Sequence, residues 1–185
     1  SHSKYSALMI RIIKDKTVNN DYLKSILDDE VEALVLNHHN PKTIEELILQ
    51  ISDWISAPEM DKDDKGGYSS VPLISIFSRI GEVKKEFAYK LEKLSYSTLM
   101  PLEKEVVTVN QNSYKRLLED FFDALKYVDN YDKLLNLFEI YFSSVPVQTS
   151  GYMSDISIYD YSRTTVAIAI ALYIDYLQGI LDKDR

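Results

Sequence analysis

The chain holds three histidines, and two of them, His38 and His39, stand side by side in VLNHHNP, Val35–Pro41. Imidazole is a common ligand for transition ions and equally suits a helix terminus. The pair therefore reads either as metal ligands or as the polar fringe of a helix end. There is no cysteine, which removes disulfides, thiolate zinc sites and Cys nucleophiles together. Histidine and carboxylate are left as the ligands for any metal. A calcium-loop reading is invited by Asp61, Asp63 and Gly66 at positions one, three and six of PEMDKDDKGGYSS. It fails because Lys65 stands at position five and Pro72 at position twelve, where a ligand and a bidentate Glu are needed.

The elements that must position these residues follow from periodicity. From Asp28 the apolar positions Val31, Leu34 and Val35 recur at helical spacing, His38 continues their stripe, and Pro41 ends the helix soon after. His38 is thus expected to point inward and His39 sideways. Neighbours on a helix diverge by about 100°, so the rings should not naturally chelate one ion, although they could serve adjacent ions. Thr43-Ile44-Glu45-Glu46 is a capping box that starts the next helix, with Leu47, Ile48, Ile51, Trp54 and Ile55 as its apolar arc. Asp53 lies about 140° round from Ile48 on that helix and by itself reads as a solvated residue.

Around this pair the chain reads as mostly helical. A short helix runs from Tyr5 to Lys14, and a second starts at Asn20 or Asp21. The charged, Gly-Gly-containing stretch of about 59–70 has the composition of a mobile loop. The segments PLISIFSRIGEV and STLMPLEKEV look like short strands or turns flanking a helix around Lys84 to Leu94. Two amphipathic helices follow in SYKRLLEDFFDALKYV and NYDKLLNLFEIYFSSV. The final segment runs nine residues without a charge, Val166 to Ile174, three of them alanine. It is expected at the centre with neighbours packed on its alanines. The fold class is therefore all-α, about seven helices, with a small β-hairpin placed between Val71 and Val109.

Composition bounds the function. With 185 residues and 45% hydrophobic content the chain is expected to form one globular domain spanning 1–185. A net charge of −8 argues against a general nucleic-acid binder, because phosphate contacts need a basic surface. The basic clusters Lys84-Lys85 with Lys90 and Lys93, and Lys115-Arg116, read as solvated helix faces. The 14 tyrosines are scattered at helical spacings, which suits core edges better than base-stacking platforms. No apolar run approaches the length that spans a bilayer, and no signal-peptide order is present. A cytoplasmic protein without a membrane partner is expected.

Three stretches together resemble one family. LVLNHHNP followed by QISDWISAPE, then PLISIFSRI with LMPLEKEV, then SSVPVQTSGYMSDISIYDYSRTTVAIAIALY, are similar to the N-terminal HD domain of the large signature subunit of type III CRISPR effector complexes, more the Csm type than the Cmr type. The most specific piece is the last, where the family pattern reads roughly D-I-S-L-Y-D-H-S-x-T-T-A-A-I-A. The resemblance implies a circularly permuted HD-domain helical bundle. It implies a metal-dependent nuclease acting on single-stranded DNA, inside a complex with other effector subunits and a guide RNA. Ser1 to Ala7 resembles the family's H-S-x-x-S motif, which implies His2 as a metal ligand. His38 and His39 match its His-His motif, and Asp53 matches the Asp of its A-D-x-L-S-A segment, with Ser52 in place of alanine. No catalytic residue beyond metal ligands is implied.

Two departures from the pattern bear on activity. The family's His-Asp pair, on a helix before the H-S-x-x-S motif, is not among these residues, nor are the family's polymerase-like palm domains. Position 161 is tyrosine where the family has histidine, and neutral phenol is a poor ligand for a divalent ion. Asp160 reads as a metal-adjacent carboxylate or equally as a helix cap. Manganese or nickel suits the nitrogen-and-carboxylate set better than calcium does. The alternative is a catalytically degenerate HD domain acting as an interaction scaffold within the complex.

Overall fold

The computed structural model describes residues 2–57, 70–80, 85–147 and 154–181, with the side chains of His2 and Arg79 outside that description. The loop of about 59–70 with its Gly66-Gly67 pair thus lies almost wholly outside the described residues. The elements are α1 (His2–Lys16), α2 (Asp21–Ile26), α3 (Asp29–Asn37), α4 (Ile44–Ser56), β1 (Phe87–Ala88), β2 (Leu102–Glu103), α5 (Gln111–Leu125), α6 (Tyr131–Phe142) and α7 (Ile158–Leu177). Among the described residues the fold is all-α with one small two-stranded sheet, as expected. No helix among the described residues is long and apolar enough to cross a membrane.

The chain divides into two compact units. The first comprises Ser1–Ala57, Lys126–Asn130 and Ser162–Arg185, so it holds α1 to α4 and most of α7. Helices α2, α3 and α4 each start where a polar side chain covers orphan backbone N–H groups. The Asn20 side chain accepts from Leu23 N–H, Asp28 from Val31 N–H and Thr43 from Glu46 N–H. Asn20 also donates to the carbonyls of Lys126 and Val128 at 3.3 and 2.7 Å, which ties the Lys126–Asn130 segment to this unit. Helix α1 packs on α3, and α3 on α4. The α1–α3 seam is edged by Arg11 Nε donating to Glu32 at 2.6 Å and Lys14 paired with Asp29 at 2.7 Å.

The second unit comprises Pro58–Leu125 and Tyr131–Tyr161. Its core is where α5 and α6 pack against one another around Phe121. That ring is 2% exposed and meets Phe138, Tyr141 and Phe142 with centroids 5.6, 5.7 and 4.8 Å away, all edge-on, the geometry that ring quadrupoles favour. The sheet pairs Phe87 with Glu103 and Ala88 with Leu102, antiparallel, and Ile74 bridges to Ala88 on the other side.

Two expectations are overturned here. No helix forms across the described part of Lys84–Leu94, although the segment is rich in Lys, Glu and Leu. Instead Phe87 and Ala88 form β1: Ser75 N–H donates to Phe87 O, Tyr89 N–H to Leu73 O, Lys104 N–H to Glu86 O, and Phe87 N–H to Ser78 Oγ. Long-range partners satisfy the backbone groups that a helix would have paired locally, and tertiary context overrides propensity. Helix α7 is also not a central helix among the described residues. Thr165 is its one buried residue, while Val166, Ile170, Tyr173, Ile174 and Leu177 are all exposed. A helix apolar on every side carries no periodic signal to say which face packs.

Candidate metal centre

Helix α3 ends at Asn37, and His38 is its C-cap, with φ −56° and ψ −19°. His39 and Asn40 belong to the turn that leads to α4. This changes the geometry expected for the pair. The roughly 100° divergence of neighbouring side chains holds inside a helix, but His39 lies beyond the cap, and the two rings come together with centroids 4.0 Å apart, tilted by 41°. The splayed arrangement suited to two separate ions is replaced by two rings side by side. His38 is buried at 6% exposure and His39 is exposed.

Asp53 joins them. One ligand atom each of His38, His39 and Asp53 lie within 4.8 Å of one another, with Asp53 half-buried. Wheel arithmetic placed Asp53 off the apolar arc correctly, but that face of α4 is not left to solvent. Besides Ile48 and Ser52, α4 buries Glu46 and Gln50. Asp53 is seven residues on from Glu46, about 20° from the same direction. The polar face Glu46–Gln50–Asp53 is thus a second packed face, beneath the turn that carries the histidines. On the arc expected to be apolar and buried, Trp54 and Ile55 are 63% and 62% exposed.

The donor chemistry fits a divalent transition ion. His38 Nδ1 lies 2.6 Å from Val35 O. A carbonyl can only accept, so Nδ1 carries the proton and the lone pair of the neutral ring sits on Nε2. This is how ligand histidines are commonly oriented. Two imidazole nitrogens and one carboxylate suit manganese, nickel or zinc more than calcium. With bonds of about 2.1 Å, two ligands of one ion stand at most about 4.2 Å apart. The cluster would therefore contract by roughly half an ångström around an ion, within the reach of side-chain torsions.

Glu46 orders the turn. Its carboxylate accepts from Asn37 Nδ2 at 2.9 Å, Lys42 N–H at 2.6 Å and Thr43 N–H at 3.3 Å. The Lys42 N–H and the Asn37 amide hold this carboxyl below its ordinary pKa, against the opposing effect of burial. At the other end of α4, Ser56 Oγ shares a 2.6 Å hydrogen bond with Thr165 Oγ1 of α7 and lies 2.5 Å from Ser52 O. Sequence reading missed Glu46, Ser56 and Thr165 as contributors. The seven-residue spacing of Glu46 and Asp53 was the available signal.

The remaining candidates are not part of the three-residue cluster. His2 opens α1, and its side chain lies outside the described residues. Asp160 and Tyr161 fold with the second unit. There Ser157 Oγ donates to Asp160 Oδ2 at 2.7 Å and accepts from Asp160 N–H at 3.0 Å. That exchange makes Asp160 part of the cap of α7. Tyr161 is half-buried in the same first turn.

No family model matches the chain. Over its whole length it is 29% identical to a protein of Methanocaldococcus jannaschii, the CRISPR system single-strand-specific deoxyribonuclease Cas10/Csm1 (subtype III-A), across an alignment of 214 residues that covers 26% of that protein. The crystal structure of T. onnurineus Csm1 matches with a TM-score of 0.67 at 21% identity, covering 94% of this chain and 25% of that one. The Csm1–Csm4 subcomplex of the type III-A CRISPR-Csm interference complex matches with a TM-score of 0.62 at 23% identity, covering 94% and 24%. These two likenesses establish a shared fold. The chain spans about a quarter of the length of these relatives.

Proposed function

Since the chain is a homologue of the Cas10/Csm1 proteins of type III-A CRISPR systems, we propose that it is an HD-type, metal-dependent phosphodiesterase region that cuts single-stranded DNA. Its setting is a cytoplasmic RNA-guided antiviral complex, with the other effector subunits and their guide RNA as partners. The observation that carries this reading is the His38–His39–Asp53 cluster, with its ligand atoms within 4.8 Å of one another.

His38, through Nε2, His39 and Asp53 would hold the ion, and the family pattern adds His2 as a further candidate ligand. A bound divalent ion supplies positive charge that polarises the phosphodiester and makes water a better nucleophile. The Val35 carbonyl keeps the His38 proton on Nδ1 and so leaves the ring's lone pair on Nε2. The Asp53 carboxylate lowers the net charge of the site. No protein nucleophile is required, because water takes that role in such hydrolyses.

A degenerate scaffold is the second reading. It is favoured by the commitment of Asp160 to the cap of α7 and by tyrosine at position 161. The two separate in one assay: cleavage of end-labelled single strands with manganese or nickel, comparing the chain with His38→Ala and Asp53→Asn and including a chelator. The nuclease reading expects slow, chelator-sensitive cutting that both substitutions abolish. A folded chain that binds the ion and leaves DNA intact would replace it with the scaffold.

A further inference from the structure

The turn that carries the two histidines is closed on itself by a single side chain. Glu46 reaches back from the first turn of α4 to Asn37, the residue before His38, and to the backbone of Lys42, three residues after His39. Both flanks of the pair are therefore tied to one carboxylate. That carboxylate is itself fixed, because Glu46 is 6% exposed and sits in the first turn of α4. Asp53 stands two helical turns further along the same face, about 10 Å up the axis. One rigid helix thus carries both Asp53 and the group that sets where the histidine turn runs.

We infer that Glu46 is a positioning residue for the metal centre: by bridging Asn37 and Lys42 it holds His38 and His39 in register with Asp53. The inference rests on the reading that these three residues bind the ion. Glu46 is not among the three ligands, and its two oxygens already accept three hydrogen bonds. Its contribution is to order the six-residue segment before an ion arrives, so that binding need not supply that entropy. Glu46→Gln keeps the shape and one acceptor, but turns an amide NH2 toward one of the two sides, the Asn37 amide or the backbone donors of Lys42 and Thr43. Asn37→Ala removes only the bond to the residue before His38. Thr43→Ala is the control, because it weakens the cap of α4 while leaving both carboxylate oxygens of Glu46 in place.

Two measurements on the full chain test this. Calorimetric titration with nickel should show affinity reduced about 10- to 100-fold in Glu46→Gln, the range found when groups that orient metal ligands are replaced. Asn37→Ala should give a smaller reduction, and Thr43→Ala little change despite a lower melting temperature. In the metal-free chain, the nuclear Overhauser contact between the His38 and His39 rings should be lost in Glu46→Gln and retained in Thr43→Ala. If that contact persists in Glu46→Gln, or if affinity falls in Thr43→Ala as far as in Glu46→Gln, Glu46 acts only on stability and the inference is wrong. Loss of the contact in Glu46→Gln, in a wild-type chain that takes up no nickel, would uphold the positioning role and overturn the metal reading instead.

Discussion

Ser56 Oγ on α4 and Thr165 Oγ1 on α7 lie 2.6 Å apart, and Thr165 is the one buried residue among those described in α7. A hydroxyl pair thus joins the end of α4, one turn beyond Asp53, to a helix whose other described positions are more open. Thr165→Val keeps the volume but leaves the Ser56 hydroxyl with one fewer partner. Losing one such bond costs about 0.5–1.5 kcal/mol. Urea denaturation should read a loss of that size, with Thr165→Ser restoring most of it; an unchanged midpoint in Thr165→Val would show that the pair does not hold α7.

A single ion should bind per chain. The rings of His38 and His39 lie side by side, 4.0 Å between centroids, with Asp53 close to both, which describes one ligand set. Titration with manganese or nickel should give a stoichiometry near one, and Asp53→Asn should weaken it by removing the anionic member of the cluster. Two tight sites per chain would contradict this arrangement.

Stability should fall in mild acid through Glu46. Its carboxyl is held below the ordinary value in the folded chain by the Lys42 N–H and the Asn37 amide. A group whose pKa is depressed by folding stabilises the fold at pH values above its unfolded pKa, about 4.3 for Glu, and loses that contribution as pH falls through the lower folded value. Melting temperature measured from pH 7 down to pH 3 should therefore decline more steeply in the wild type than in Glu46→Gln. Parallel curves would remove Glu46 from the cause.

Phe121 should be the most sensitive apolar position of the second unit. It is 2% exposed and contacts four aromatic rings. Phe121→Leu leaves part of that volume empty, and full truncation of such a ring typically costs about 3–5 kcal/mol. Chemical denaturation followed by tyrosine fluorescence should show Phe121→Ala in that range and Phe121→Leu at a smaller loss. A loss for Phe121→Ala no larger than an exposed position gives would mean that α5 and α6 are not held by this cluster.

Local chemistry made much of the chain legible before any folding was considered. The capping box Thr43–Glu46 starts α4 where the sequence placed it, Asn20 caps α2, and the periodic stretches around Phe121 and Phe138 became α5 and α6. These features are settled within a few residues of one another, by hydrogen bonds and side-chain spacing that a short segment carries with it. The histidine pair and the matched Asp53 were legible as candidates through the family pattern, though not how they would meet.

That meeting was decided by tertiary structure. His39 lies past the cap of α3, where the angular rule of a helix no longer applies, and the face of α4 bearing Asp53 is packed because the turn leading into α4 folds back along it. Likewise Phe87 and Ala88 left a helix-favouring sequence for a strand because Leu73, Ser75 and Lys104 supplied partners from outside the segment. The uncharged Val166–Ile174 stretch of α7 offered no periodicity from which to choose a packed face. In each case pattern within one segment cannot encode a partner from a neighbouring segment that only the folded chain brings near.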